Sequence, residues 1–211
     1  MFRARKEQST ARLGAGPRPV ALAVTGSIGA GKSEVLAAFE RHGAAVISSD
    51  DIVHRLLRDD PAVKGAIVER LGERVLDEDG EIVRARVAEL VFSDAEALRW
   101  LEELLHPRVV TTYLRWREDL RASADPPDVC VTEVPLLYEV GAEERFDAVV
   151  AVSASPEVRA ARLRRPVSDR EKRLLPDAEK LARADFAYVN EGSLEELDRF
   201  VSDVMGTLAR S

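Results

Sequence analysis

The feature that most limits how this chain can fold is a short apolar run, Val20-Ala21-Leu22-Ala23-Val24, that stops at the glycine-rich stretch Gly26-Ser27-Ile28-Gly29-Ala30-Gly31-Lys32-Ser33. An unbroken apolar run predicts a strand buried on both faces, hence the centre of a parallel sheet rather than the half-solvated strand of a hairpin. The glycine stretch fits G-x-x-x-x-G-K-[ST], and residues 32–42 continue it with an amphipathic helical pattern closed by Gly43. Glycines there let successive N–H groups converge on one anion, and the helix amino terminus adds its dipole. In this arrangement Lys32 reaches β- and γ-phosphates, while the Ser33 hydroxyl is offered to Mg²⁺.

Four further short runs, at residues 44–48, 129–134, 148–153 and 186–189, are bounded by turn formers or charges and read as strands. Between them lie helical patterns at 156–164, with Pro156 in its first turn, and at 194–208 after a Ser193 cap. The alternation predicts an α/β fold, a doubly wound five-stranded parallel sheet. Residues 52–122 break it with helical patterns at 84–91, 95–105 and 109–120 and no convincing central strand, which predicts a helical insert. Inserts at the carboxyl ends of strands are where α/β enzymes recognise substrates.

Composition narrows what such a fold can serve. With 211 residues and 45% of them hydrophobic, the chain can bury one core with an appendage. A net charge of −7 gives no global attraction for nucleic acid or an anionic membrane, so an anionic substrate must meet local positive charge. The single cysteine, Cys130, sits in the apolar run Val129-Cys130-Val131, where it reads as buried filler suited to a reducing compartment. No run is long enough to cross a bilayer, so the cytoplasm is the expected location. Residues 1–19, with Arg3, Arg5, Lys6, Arg12 and Arg18 among glycines and prolines, read as a flexible extension. Oligomeric state leaves no mark in the sequence.

The second strand ends in Ser48-Ser49-Asp50-Asp51, which puts carboxylates at the same edge of the sheet as the glycine loop. Two readings are open. An aspartate here can take the proton of an acceptor hydroxyl in phosphoryl transfer, or Asp50 or Asp51 can cap a helix starting at Ile52. Glu133, at the end of a strand, has open readings also: orienting Mg²⁺ through water, or a solvent-facing or capping role.

Taken together, Thr25 through Ser33, Val46-Ile47-Ser48-Ser49-Asp50 and Asp51-Ile52-Val53-His54 resemble the dephospho-coenzyme A kinase family. Later segments agree in order: Arg84 after Gly80-Glu81-Ile82, Leu101-Glu102 through His106-Pro107, Val134-Pro135-Leu136-Leu137-Tyr138-Glu139, Lys180 with Ala184-Asp185, and Asn190-Glu191-Gly192-Ser193. The resemblance runs from about residue 20 to 204 and implies a single P-loop kinase domain at 20–211, with an acceptor-binding insert at 52–122 and a lid at 159–176. It implies ATP and Mg²⁺, transfer to the ribose 3′-hydroxyl of dephospho-CoA, and Asp50 as the general base. It places Arg84, His106, Tyr138 and Glu139 on the acceptor side and Asn190 on the nucleotide side. His106 also has the plainer reading of a histidine satisfying a turn before Pro107.

Three departures stand out. Ser27 replaces a glycine common in the family loop, Ser48 stands where a second aspartate is frequent, and the basic segment after Arg159 is shorter than the usual lid, with Leu174 where glutamine is expected. In that segment Arg162 lies one helical turn beyond Arg159 and is the arginine best placed to meet charge developing in transfer. Two other functions compete with the implied one. A kinase acting on nucleoside monophosphates or sugars shares the loop but not the Pro135-to-Glu139 segment. A nucleotide-dependent switch would bind a triphosphate and signal by shape, yet no Asn-Lys-x-Asp base-reading signature is present.

Overall fold

The computed structural model describes residues 19–163 and 174–209. The predicted flexible extension lies outside these residues apart from Pro19, as do residues 164–173 of the predicted lid. The five predicted strands form β1 (Val20–Gly26), β2 (Ala45–Ser48), β3 (Val129–Glu133), β4 (Ala148–Ser153) and β5 (Phe186–Val189). They build one sheet in the order β2-β3-β1-β4-β5, with β1 parallel to both β3 and β4 and β4 parallel to β5. A central β1 explains its unbroken apolar run. The chain winds from β1 to β2 on one side and crosses from β3 to β4 on the other, so the loop after β1 sits where the winding changes direction, the place for a ligand crevice.

The described residues form two compact units, one taking those up to Ile47 and those from Arg117 onward, the other Ser48–Trp116. In the first unit α1 (Lys32–Arg41) and α8 (Leu194–Leu208) cover one face of the sheet. Leu22, Val24, Val131 and Val150 pack there against Val35, Phe39, Val201 and Val204, with Phe200 and Tyr188 stacked at 4.6 Å between ring centroids. Ser193 and Glu196 form a reciprocal capping box at the start of α8, as the predicted cap requires. The same unit holds α6 (Pro156–Leu163) and α7 (Asp177–Arg183), the latter not foreseen from the sequence. Cys130 is buried at 1% exposure.

The second unit is helical: α2 (Ser49–Asp59), α3 (Pro61–Leu71), α4 (Arg84–Ser93) and most of α5 (Ala95–Arg121). Leu57, Val63, Ile67, Leu71, Val75, Val87, Val91 and Leu105 make its core. Asp60 ends α2 and caps α3, its carboxylate accepting from the N–H groups of Ala62 and Val63, while Pro61 takes the first helical position, where no donor is needed. Two expectations are corrected here. The helix expected to start at Ile52 begins at Ser49, and the two helices expected at 95–105 and 109–120 are one helix that contains Pro107. Leu105, Val109 and Tyr113 recur at a spacing of four across the proline, so one buried stripe outweighs the single backbone bond that the ring removes.

Candidate active site

The glycine loop leaves β1 at Gly26, whose φ is 146°; a Cβ there would stand 2.0 Å from the Val152 carbonyl oxygen of β4. Five residues on, Gly31 holds the left-handed φ of 90° at the head of α1, and a Cβ there would meet Asn190 Nδ2 at 2.2 Å. Both positions therefore demand glycine for space as well as for φ. No side chain caps α1, so its amino terminus, beside the glycine loop, presents the helix dipole to an anion.

The outer side of the loop is held by donors. Four successive carbonyl oxygens each accept from a side chain: Ser27 from Lys32 Nζ at 3.2 Å, Ile28 from Arg159 Nε at 2.8 Å, Gly29 from Arg162 Nη1 at 3.3 Å, and Ala30 from Arg162 Nη1 at 3.2 Å and Asn190 Nδ2 at 2.9 Å. Within the loop the Ala30 N–H also donates to the Ser27 carbonyl at 3.2 Å, so side-chain and backbone donors together fix the loop's course around the head of α1. Arg162 also donates through Nη2 to the Asn190 carbonyl at 3.0 Å. Arg162 and Asn190, singled out in the sequence 132 and 160 residues from Ala30, thus meet the same loop.

Lys32 is buried at 9% exposure, and its ammonium lies 3.6 Å from a carboxylate oxygen of Glu133, itself 7% exposed at the end of β3. The solvent-facing reading of Glu133 is therefore replaced by a buried acid beside the loop lysine. Ser33, one residue on, is exposed on the first turn of α1. Tyr188, near this end of β5, has its phenol pushed above the usual range, first by burial and then by Glu196, with Arg162 acting the other way.

Tyr138 and Glu139 also belong to the first unit, and α7 occupies both. Glu139 Oε1 lies 2.8 Å from Nζ of Lys180, a lysine only 1% exposed, and accepts the Leu175 N–H at 3.1 Å. Arg183 covers the Tyr138 ring at 4.2 Å and pairs with Glu143.

The remaining predicted residues lie in the second unit. Ser48 caps α2, accepting the Asp50 N–H at 3.2 Å, so neither Asp50 nor Asp51 is the cap. Asp50 is exposed in the first helical turn, and its carboxylate has no hydrogen-bond or ion-pair partner among the described residues. Arg84 is exposed at the start of α4, with Nη1 3.1 Å from Nδ1 of His54, a contact that needs a neutral His54 accepting at Nδ1. His106 is exposed in mid-helix rather than in the turn one reading gave it. Sequence reasoning missed Asp177, the first residue of α7, which accepts the Ser27 hydroxyl; only Ser27 in place of glycine hinted at a side-chain partner.

Comparison with known proteins identifies the family. A sequence model of the dephospho-CoA kinase family matches residues 20–196. A dephospho-CoA kinase of Rhodopseudomonas palustris is 37% identical over 198 residues, which is 90% of this chain and 96% of the relative. A solved structure from Thermus thermophilus matches with a TM-score of 0.70 and 33% identity, covering 90% of this chain and 98% of the other. That of the dephospho-CoA kinase from Campylobacter jejuni matches with a TM-score of 0.66 and 26% identity, over 90% and 97%. The matched span runs from β1 and its loop through both units to the first turn of α8, and relatives align over nearly their full length, so the chain belongs to the dephospho-CoA kinase family.

Proposed function

We propose that this protein transfers the γ-phosphoryl group of ATP to the ribose 3′-hydroxyl of dephospho-CoA, giving ADP and coenzyme A, the last step of making that cofactor. The observation that carries the reading is the loop at 26–33, its carbonyls held by four donor side chains and the helix that follows it without a side-chain cap. Family membership supports the choice of acceptor, and no observation favours a nucleoside monophosphate kinase or a switch.

In this reading the amides of residues 26–33 hold the β- and γ-phosphates, and Lys32 neutralises their charge without needing to be recruited from solvent. Mg²⁺ is the expected companion of the nucleotide: the exposed Ser33 hydroxyl suits the one or two protein ligands that a phosphate-bound Mg²⁺ takes, and Glu133 lies beside Lys32. When bound, the ion neutralises phosphate charge and orients the β- and γ-oxygens. Asp50 accepts the hydroxyl proton; its exposed carboxylate, relieved of capping by Ser48, supports that role. Arg162 keeps a positive charge against the loop for the transition state, and Asn190 shapes the nucleotide side. Arg84, His106, Tyr138 and Glu139 are assigned to the acceptor on the family resemblance. We place the reaction in the cytoplasm, where a thiol such as Cys130 stays reduced; no described helix is long and apolar enough to cross a membrane.

The test is to incubate the protein with Mg-ATP and dephospho-CoA, with nucleoside monophosphates and shikimate-like alcohols alongside, and to locate the added phosphate. Coenzyme A phosphorylated at the 3′ oxygen, absent with Lys32→Ala, is the expected product. Nucleotide binding without that product would overturn the acceptor assignment.

A further inference from the structure

Ser27 departs from the glycine that the family resemblance leads one to expect, and its hydroxyl is not idle. It donates to one carboxylate oxygen of Asp177, 150 residues away on α7. The other carboxylate oxygen lies 3.7 Å from Nη1 of Arg159, and Arg159 Nε returns to the loop by donating to the Ile28 carbonyl at 2.8 Å. A closed ring results, Asp177 to Ser27 to Ile28 to Arg159 and back. Its members are largely shielded from water, with the Arg159 side chain 10% and the Asp177 side chain 25% exposed, so charge-assisted bonds keep more of their strength than at an open surface.

Asp177 cannot easily drift from this ring, because α7 is pinned further along. Lys180, one turn on, is buried against Glu139, and Arg183, a further turn on, pairs with Glu143 over the Tyr138 ring. Ser27 is also the residue whose carbonyl accepts from Lys32 Nζ. Fixing the Ser27 side chain therefore fixes the backbone group that parks the lysine ammonium. A glycine at this position keeps the carbonyl and loses the tether.

We propose that Asp177 is a positioning residue for nucleotide binding, acting through the Ser27 hydroxyl and the Arg159 guanidinium to hold the loop and Lys32 in the geometry that receives phosphate. The proposal rests on residues 26–33 being the nucleotide loop and not on the identity of the acceptor. The experiment is a double-mutant cycle with Ser27→Ala and Asp177→Ala, read as direct binding of Mg-ATP to the full chain with no acceptor present. Because the acceptor is absent, an error in assigning it leaves the cycle unchanged.

Asp177→Ala is expected to weaken Mg-ATP binding roughly tenfold and Ser27→Ala about fivefold, with the double variant no weaker than Asp177→Ala alone. Asp177→Asn, which keeps an acceptor for Ser27 and loses the charge facing Arg159, should fall between wild type and Asp177→Ala. In turnover the loss should appear in the KM for ATP and not in the KM for the alcohol, a split that general loosening of the fold does not produce. The proposal is overturned if the two factors multiply, if both KM values rise together, or if Ser27→Ala binds Mg-ATP as well as wild type. The last outcome decides the matter even where Asp177→Ala fails to fold.

Discussion

The side-chain amide of Asn190 donates to the Ala30 carbonyl at 2.9 Å and at the same time lies 2.2 Å from where a Cβ on Gly31 would stand. One buried asparagine, 5% exposed, thus both holds the glycine loop and fills the space that makes the next glycine obligatory. Gly31→Ala must adopt a left-handed backbone and displace that amide, and should lower unfolding free energy by about 1–3 kcal/mol while weakening Mg-ATP binding. Asn190→Ala loses a buried hydrogen bond, at a cost of about 1–2 kcal/mol. The double variant has room for the new methyl group and should lose less than the sum of the two, which urea unfolding of the four proteins would reveal. Simple addition of the losses would mean that the two positions do not press on one another.

Lys32 and Asp50 should fail in different ways. Lys32→Ala removes the ammonium that lies beside Glu133 and bonds the Ser27 carbonyl, so both nucleotide affinity and turnover should fall, the turnover by about a hundredfold or more. Asp50→Asn keeps the shape of an exposed side chain and leaves the Ser48 cap intact, so folding and Mg-ATP binding should stay near wild type. Its turnover should fall by about a hundredfold to ten-thousandfold, the usual worth of a general base. Steady-state kinetics with both substrates, beside direct nucleotide binding, separates the two patterns. Unchanged turnover in Asp50→Asn would remove it as the base.

The contrast between what could and could not be read from the sequence follows from the range over which each signal acts. The strands were legible because apolar runs such as Val20 to Val24 can be buried on both faces only in the middle of a parallel sheet, and α8 because Ser193 and Glu196 announce its start three residues apart. Pro107 misled because its local effect, one missing donor, is visible in sequence, whereas the stripe of Leu105, Val109 and Tyr113 that carries the helix through it gains its energy from packing. In the short helix α7, four of seven residues are charged, and the burial of Lys180 depends on Glu139, distant in the chain. The loop itself was fully legible, but the hold of Arg159, Arg162, Asn190 and Asp177 on it was not, since those contacts span 131 to 160 residues and no spacing rule encodes them.

Asp60 offers a test of the helical unit that leaves the glycine loop untouched. Its carboxylate accepts two of the N–H groups at the start of α3, at 2.9 and 3.2 Å. Asp60→Ala strands both donors and should lower the unfolding free energy by about 1 kcal/mol, while Asp60→Ser, which retains a capping oxygen, should keep most of it. Chemical denaturation of the three proteins checks this. Equal losses in the alanine and serine variants would show that the 4.0 Å approach of Arg108 to the Asp60 carboxylate, rather than the cap, is what matters there.

The contact between the end of α1 and α8 should make stability sensitive to acid in a defined direction. Asp198 on α8 accepts from Arg41 Nη2 at 3.0 Å and lies 3.1 Å from Nε2 of His42. The bond from Arg41 first, and that from His42 next, hold its carboxyl below the ordinary carboxylate range. A folded-state value below the unfolded one means that the unfolded chain takes up this proton first as pH falls. The contribution is therefore complete above the ordinary carboxylate pKa and is lost as pH drops through the lower folded-state value. Asp198→Asn should thus lower the melting temperature near neutral pH by no more than about 2 °C, since the pair is open to solvent. The gap to wild type should close below roughly pH 4 and shrink in concentrated salt at any pH. Thermal melts of both proteins across that range test the assignment, and a gap that widened in acid would contradict it, because a group with a depressed pKa can only lose its contribution there.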